Sequence, residues 1–119
     1  MPLERRDLAR LRDIDIYASR ALDYLAQAGN DVASSTLVQD AILRCFEVMG
    51  EAARATSAAA KSDYPSIPWP FIVGMRNRVI HEYHRVDLEL VYQTIREDLP
   101  PLLIQIRLII ATEDPAGTP

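Results

Sequence analysis

The chain has 119 residues, about half of them apolar and a quarter charged, which fits one compact domain and excludes a disordered or fibrous protein. Seventeen acidic residues against thirteen Lys and Arg give a net charge of -4, which excludes the broad positive field of a non-specific nucleic-acid binder. A single cysteine excludes an internal disulfide, and with neither a secretion leader nor a bilayer-length apolar run evident, we expect a cytoplasmic protein without membrane contact.

The first half of the chain predicts two long amphipathic helices. The first runs from about Leu3 to Ala28, and the second runs from a cap at Ser34, Ser35 or Asp31 to about Ala59. Apolar residues recur at helical spacing along both, at Leu8, Leu11, Ile14, Ala18, Leu22 and Leu25 and at Val38, Ile42, Cys45, Phe46 and Met49. These stripes predict that the two helices share one core.

The polar stripe of the second helix, which includes Glu47, Glu51 and Arg54, admits two interpretations. Pairing rules favour a solvated face with ion pairs inside the helix. The alternative is that these side chains line a groove facing the histidine-containing segment further along the chain. The spacing leaves both interpretations open.

A proline-rich connection follows the second helix. The segment Y-P-S-I-P-W-P, residues 64–70, contains three prolines, which preclude a regular helix, and we expect Trp69 to pin it to the core. Because proline is tolerated in a first helical turn, a third helix is predicted to begin near Pro68 or Pro70. It should end close to Tyr83.

A fourth helix is predicted to begin at Asp87, which precedes L-E-L-V-Y-Q-T-I as an N-cap. Pro100–Pro101 must break or kink this helix, and a last apolar piece over 102–111 completes the core. The sequence therefore predicts an all-α antiparallel bundle of four to five helices. We expect one domain over residues 1–112 and a flexible tail over 113–119.

Both histidines lie in one ten-residue stretch, M-R-N-R-V-I-H-E-Y-H, from Met75 to His84. On an ideal helix Arg76 and Tyr83 share a face, whereas Arg76 and His81 diverge by about 140°. Arg76 and His81 converge on one ligand only if the ligand is large, if the side chains reach round, or if the helix loosens near His81. A groove between two molecules would meet the first two conditions.

An arginine, a histidine and a polar amide are enough to cleave RNA without a metal ion. His81 would take the proton of a ribose 2'-hydroxyl or return one to the departing 5'-oxygen. Arg76 would hold the scissile phosphate, and Asn77 would orient the imidazole or donate to the phosphate. Such a site leaves a 2',3'-cyclic phosphate and cannot cut DNA.

The same stretch also admits simpler interpretations. A histidine near a helix end is commonly a half-exposed residue that the helix dipole favours, and Arg76 could be a surface ion-pair partner. His81, His84 and Asp87 lie three residues apart, but zinc usually needs three or four protein ligands and Asp87 is better explained as a cap. We therefore predict neither a metal nor a cofactor. The neighbouring bases are candidate RNA or phosphate contacts: Arg78, His84 and Arg85.

The chain resembles the HepT-like toxins of the HEPN superfamily in four segments. These are I-L-R-C-F-E-V-M-G-E-A-A-R at 42–54, Y-P-S-I-P-W at 64–69, G-M-R-N-R-V-I-H-E-Y at 74–83 and V-D-L-E-L-V-Y-Q-T-I-R-E-D-L-P at 86–100. The R-x4-H-x-Y signature of that family stands as Arg76, His81 and Tyr83, with Asn77 at the polar position after the arginine. His84 departs from the apolar or aromatic residue that is common there. The resemblance covers about residues 8–110.

That resemblance implies a helical bundle that dimerises about a two-fold axis and brings two copies of the motif into one cleft. It implies a metal-independent endoribonuclease with Arg76 and His81 as the catalytic pair. It also implies a partner, an MntA-type nucleotidyltransferase antitoxin, which uses ATP to transfer AMP onto the motif tyrosine, here Tyr83. The chain would then be the toxin of a prokaryotic toxin-antitoxin pair.

Two rival functions remain open on the sequence. The first is a non-catalytic helical binding module that presents nucleotide or substrate to its nucleotidyltransferase partner, with Arg76 and His81 binding phosphate without turning it over. The second is a structural dimer in which the motif residues only form contacts at the dimer interface. Detection of 2',3'-cyclic phosphate ends would distinguish catalysis from binding.

Overall fold

The computed structural model describes residues 2–117 and confirms the prediction of an all-α fold. Its helices are α1 (Arg5–Ala28), α2 (Thr36–Ala55), α3 (Ala58–Asp63), α4 (Trp69–Val73), α5 (Met75–Val79), α6 (Leu88–Gln93) and α7 (Leu99–Glu113). The described residues contain no strand, only an isolated antiparallel bridge between Ile80 and Val86. None of these helices is both long and apolar enough to cross a bilayer.

The two long helices α1 and α2 pack against each other and contribute nearly half of the buried apolar residues. Gly29 ends α1 with a φ of 55°, and a short 3-10 turn over Gly29–Ser34 leads into α2. Ser35 caps α2, as predicted, because its Oγ accepts a hydrogen bond from the Val38 amide at 3.2 Å. The predicted stripes are buried at Leu11, Ile14, Ala18, Leu25, Ile42, Cys45, Phe46 and Met49.

The prediction that the second helix continues to Ala59 is wrong. Thr56 leaves the helix with a φ of -65° and a ψ of 136°. Ser57 then begins α3, because its Oγ accepts a hydrogen bond from the Ala60 amide at 3.1 Å. Ser57 is held in turn by the buried carboxylate of Asp7, which accepts its amide hydrogen at 2.9 Å. A new cap therefore interrupts what the sequence indicated as one helix.

Trp69 pins the proline-rich connection to the core, as predicted. Its side chain is buried, and its indole Nε1 donates a hydrogen bond to the carbonyl of Tyr64 at 3.1 Å. The short helices α4 and α5 then follow each other across Gly74.

Gly50 permits an unusually close approach between α2 and α4. A Cβ atom at this position would lie 3.1 Å from the carbonyl oxygen of Val73 and 3.3 Å from that of Ile72. Any larger residue would push the two helices apart. This contact brings the polar stripe of α2 next to α5, which carries Arg76.

The third predicted helix ends at Val79 rather than close to Tyr83, so that prediction is wrong. Ile80 is extended, with a φ of -109° and a ψ of 127°, and pairs with Val86. The backbone groups that would continue the helix are used in this bridge instead, because the Val79 carbonyl accepts a hydrogen bond from the amide of Asp87.

The fourth helix begins as predicted and then passes through its prolines without ending. Asp87 caps α6, since its Oδ1 accepts a hydrogen bond from the Leu90 amide at 3.1 Å. A wider π-helical stretch over Thr94–Asp98 joins α6 to α7. Pro100–Pro101 falls in the first turn of α7, where a missing N–H is tolerated. The expected disruption is thus a local widening of the helix.

The end of α7 is tied to the body of the chain. Glu113 accepts a hydrogen bond from the backbone amide of Leu3 at 3.0 Å, and it also accepts one from the hydroxyl of Tyr64. Glu113 belongs to the tail that the sequence predicts over 113–119. Residues 118–119 of that tail lie outside the described residues.

Candidate functional site

The motif ends in a tight turn over residues 81–85, here called the His81 loop. The His81 amide donates to the carbonyl of Arg85 at 2.7 Å, and the Asp87 amide donates to the carbonyl of Val79 at 2.7 Å. These two bonds close the loop at its base. The chain therefore reverses direction between α5 and α6 and presents the motif histidine on a hairpin.

The tip of the His81 loop has a left-handed backbone. Tyr83 and His84 have φ angles of 61° and 60°, a region that costs a non-glycine residue about 1–2 kcal/mol. The Tyr83 side chain is 95% exposed and projects into solvent. Because α5 ends at Val79, the prediction that Tyr83 and Arg76 share a helix face is wrong. Tyr83 lies on the hairpin with His81.

The His81 side chain contacts the carboxylate that caps the next helix. Its Nε2 lies 3.0 Å from Oδ2 of Asp87, while Oδ1 of the same carboxylate accepts the Leu90 amide. The His81 side chain is 54% exposed, so its imidazole is oriented by a neighbour and still accessible. An oriented and accessible imidazole can act as a proton donor or acceptor toward a bound substrate.

Arg76 lies on α5 and faces α2. Its Nε is 3.8 Å from Oε2 of Glu47, and its Nη1 donates to Oδ1 of Asn77 at 3.4 Å. The Arg76 side chain is 40% exposed, and a loose ion pair at such exposure contributes little to stability. The guanidinium is therefore accessible to an anionic ligand.

The polar stripe of α2 combines the two interpretations that its spacing left open. Glu47 pairs with Arg44 at 3.2 Å and Arg54 pairs with Glu51, and all four side chains are largely exposed, as expected for a solvated face. Glu47, Glu51 and Arg54 also line a hollow of about 170 Å³ together with Arg76. The stripe is a solvated face that forms one wall of a groove.

Arg76 and His81 line separate hollows within one chain. Arg76 and Asn77 face the hollow beside α2, whereas His81, Tyr83 and Asp87 line a larger one of about 660 Å³ formed by the loop. The sequence predicted that Arg76 and His81 diverge. In the structure the two side chains do lie in separate hollows. The reason differs from the predicted one, because α5 ends at Val79 and His81 is not on that helix.

The three candidate phosphate contacts lie in different surroundings. Arg85 lines the same hollow as His81, and His84 is exposed on the loop. Arg78 lies elsewhere, because its guanidinium stacks 5.1 Å from the ring centre of Phe71 in a hollow that also contains Asp98. Arg85 is therefore the one of the three whose position fits an anion bound at His81.

Neither a metal cluster nor a reactive thiol accompanies these residues. Among residues 2–117, no group of three or more His, Cys, Asp or Glu side chains is arranged to hold a metal ion. Burial raises the pKa of the Cys45 thiol to about 11, so that sulfur stays protonated and unreactive near neutral pH.

Sequence reasoning assigned Asp87 only a capping role and missed its contact with His81. On an ideal helix an Asp six residues after a His points about 120° away from it, so the spacing does not predict a contact. The signal that would have found the contact is the pair Ile80 and Val86, two β-branched residues flanking a short polar segment, which is typical of a small hairpin.

Comparison with known proteins decides the family. The family described as Ribonuclease HepT-like matches residues 14–109, which is most of the chain. The chain belongs to the HepT-like ribonuclease family. The expectation drawn from the motif is therefore confirmed at the level of the family.

Individual relatives of this HepT-like chain come from archaea and bacteria. It is 28% identical over 109 residues to "Putative RNase MJ1380" of Methanocaldococcus jannaschii, an alignment that covers 90% of this chain and 100% of the relative. It is 30% identical to "Putative RNase TTE0752" of Caldanaerobacter subterraneus, with 70% and 74% covered, and 38% identical to "Probable ribonuclease HepT" of Thermococcus cleftensis, with 54% and 58% covered. No solved structure matches the chain significantly.

Proposed function

We propose that this chain is the toxin of a prokaryotic toxin-antitoxin pair and that it is a metal-independent endoribonuclease acting in the cytoplasm. The observation that carries the proposal is the accessible imidazole of His81, which contacts a carboxylate on a hairpin, together with the accessible guanidinium of Arg76, in a chain of the HepT-like ribonuclease family. Imidazole and guanidinium together supply proton transfer and phosphate binding.

The proposed reaction begins at the ribose of the substrate RNA. His81 takes the proton of the 2'-hydroxyl, and the 2'-oxygen attacks the adjacent phosphorus. The bond from phosphorus to the 5'-oxygen breaks, and that oxygen leaves with a proton returned to it by the protonated His81. Arg76 binds the phosphate oxygens on which negative charge grows, and Asn77, whose amide contacts Arg76, supports its orientation. The products are a 2',3'-cyclic phosphate and a free 5'-hydroxyl.

The active site proposed here is shared by two copies of the chain. Arg76 and His81 line separate hollows in one copy, so a single chain presents half of the required groups to each hollow. A two-fold dimer that joins these surfaces would place Arg76 of one copy opposite His81 of the other. This arrangement meets the requirement that the two side chains converge on one phosphate.

The proposed control is AMP transfer from ATP onto Tyr83 by an MntA-type nucleotidyltransferase antitoxin. The phenol oxygen would attack the α-phosphorus of ATP, and pyrophosphate would leave. The high exposure of Tyr83 supports this proposal, since a partner enzyme must reach the hydroxyl. Tyr83 also lines the His81 hollow, so an attached phosphate and purine would occupy the space that RNA needs.

The test is cleavage of RNA by the purified chain made without any nucleotidyltransferase. We expect cleavage that persists in EDTA and leaves 2',3'-cyclic phosphate ends. Arg76→Ala and His81→Ala should each lower the rate by on the order of a hundred-fold or more, because each removes a group that acts in the transition state. Arg20→Ala is the matched control, since Arg20 is an arginine of α1 that stacks on Tyr17 and is not part of the motif.

Three results would count against this function. Cleavage that stops in EDTA would contradict the metal-independent mechanism. Equal loss of activity in Arg20→Ala and Arg76→Ala would indicate that Arg76 acts only through its contribution to the net charge. RNA that binds to the folded, AMP-free chain through Arg76 and His81 and stays intact would instead support the non-catalytic binding module.

A further inference from the structure

We infer that Asp87 is a positioning residue that fixes the tautomer of His81, with the proton on Nε2 and the lone pair on Nδ1. Nε2 of His81 lies 3.0 Å from Oδ2 of Asp87, an ion-pair contact in which a lone pair on that nitrogen would repel the carboxylate. A carboxylate oxygen only accepts, so the nitrogen that faces it carries the hydrogen.

The orientation of the Asp87 carboxylate is also fixed from its other side. Its other oxygen, Oδ1, accepts the Leu90 amide as the cap of α6 at 3.1 Å. The Asp87 side chain is only 29% exposed. One oxygen of Asp87 therefore caps α6, and the other contacts the imidazole of His81.

The backbone of the His81 loop fixes the positions of His81 and Asp87 relative to each other. The amides of His81 and Asp87 donate across the base of the loop to the carbonyls of Arg85 and Val79, each at 2.7 Å. The imidazole and the carboxylate thus extend from the two ends of one closed turn. Glu82, Tyr83 and Arg85 line the same hollow and form the rest of the polar surroundings.

The consequence concerns which nitrogen meets the substrate. With the hydrogen on Nε2, the nitrogen that faces Asp87, Nδ1 has the lone pair that can accept the proton of a ribose 2'-hydroxyl. The same use of a carboxylate to select the tautomer of a catalytic imidazole is a general device of hydrolytic sites. The tautomer is inferred from this contact, and only the catalytic consequence rests on the proposed function.

Two substitutions at Asp87 separate positioning from capping. Asp87→Ser keeps an N-cap but is too short to reach the imidazole. Asp87→Asn also keeps the cap and turns an amide NH₂ toward His81, which would make Nε2 an acceptor and move the proton to Nδ1. Ser35→Ala is the matched control for a lost cap, because Ser35 caps the distant helix α2.

The measurement is the ¹⁵N spectrum of the imidazole at a pH where it is neutral. The chain has two histidines, so a His84→Asn background leaves His81 as a single signal. We expect Nε2–H in this background and with Ser35→Ala, Nδ1–H with Asp87→Asn, and the mixture typical of free imidazole with Asp87→Ser. Nδ1–H in the background chain, or one tautomer throughout the series, overturns the inference.

RNA cleavage gives the second readout. Asp87→Asn should lower kcat by on the order of a hundred-fold or more, with KM little changed, because the substrate still binds while the base faces the wrong way. A kcat equal to that of the unsubstituted chain despite the altered tautomer overturns the assignment of Nδ1 as the base. If the unsubstituted chain cleaves no RNA, the proposed function fails while the spectrum still decides the tautomer.

Discussion

Tyr83 combines full exposure with a strained backbone at the tip of the His81 loop. Its side chain is 95% exposed, and its φ of 61° is left-handed. The side chain packs on little, so attaching a group to its hydroxyl should disturb few contacts of the folded chain. Because Tyr83 lines the same hollow as His81, a group attached to it would occupy that hollow while leaving the stability of the fold nearly unchanged.

The residue-scale prediction is therefore that AMP on Tyr83 abolishes RNA cleavage while leaving the thermal unfolding midpoint nearly unchanged. Intact mass of the chain made with and without its nucleotidyltransferase measures the modification, and thermal unfolding measures stability. Tyr83→Phe should escape modification and remain active in the presence of the partner. Tyr24→Phe is the control, because Tyr24 is a partly buried tyrosine on α1 that should not matter.

Two outcomes would contradict this prediction. AMP could be found on another residue while Tyr83→Phe is modified as readily as the unsubstituted chain. Alternatively, the AMP-bearing chain could cleave RNA at the unmodified rate.

At the scale of elements, the sequence predicts helices well and their junctions poorly. The apolar stripes of α1 and α2 follow from periodicity, which burial confirms. Their junctions depend on capping and on distant partners instead. Ser57 could be recognised as a cap only with knowledge that Asp7, fifty positions away, binds it. The end of α5 at Val79 likewise depends on a backbone bond to Asp87.

Glu113 and Tyr64 form the junction that links the proline-rich connection to the end of α7. The Tyr64 hydroxyl donates to Glu113, which lowers the pKa of the Glu113 carboxyl below its usual 4.5, and the Leu3 amide lowers it further. The same hydrogen bond, together with burial, raises the pKa of Tyr64 to about 12.

The sign of the pH dependence follows from these two shifts. A depressed carboxyl pKa gives stability that is present above pH 4.5 and lost as the pH falls through the folded-state pKa of Glu113. A raised tyrosine pKa gives stability that is present below pH 10 and lost as the pH rises through about 12. The junction should therefore be strongest between these limits.

The element-scale prediction is that Glu113→Gln and Tyr64→Phe each lower the free energy of unfolding by about 1 kcal/mol at pH 7. For Glu113→Gln the difference from the unsubstituted chain should shrink as the pH falls below 4.5, because the carboxyl is then protonated and resembles the amide. Denaturant titration across this range measures it. Glu97→Gln, on an exposed carboxyl, should show no such dependence. A Glu113→Gln difference that is constant down to acid pH would disprove the assigned pKa shift.

At the scale of the whole molecule, the sequence indicated candidate site residues but not their arrangement. The resemblance of the motif singled out Arg76, His81 and Tyr83 as candidates, and the match to the HepT-like family confirms the family. The arrangement depends on a hairpin and on two hollows that no spacing rule describes. The Asp87 contact escaped prediction for the same reason, since it forms only when the loop closes.

Because Arg76 and His81 line separate hollows of one chain, we propose a ribonuclease site built from two copies. In such a dimer each site takes Arg76 from one copy and His81 from the other. A dimer of one Arg76→Ala copy and one His81→Ala copy would then contain one site with both residues intact and one site with neither.

RNA cleavage by the mixed dimer tests whether the site is shared between two copies. The two variants are given different tags, combined under conditions that allow subunits to exchange, and checked for mixed dimers by mass spectrometry. We predict that neither variant cleaves RNA alone and that the mixture recovers about a quarter of the unsubstituted activity, since about half of randomly paired dimers are mixed and each has one intact site. A mixture that contains mixed dimers and stays as inactive as either variant, while the unsubstituted chain cleaves, would contradict the shared site.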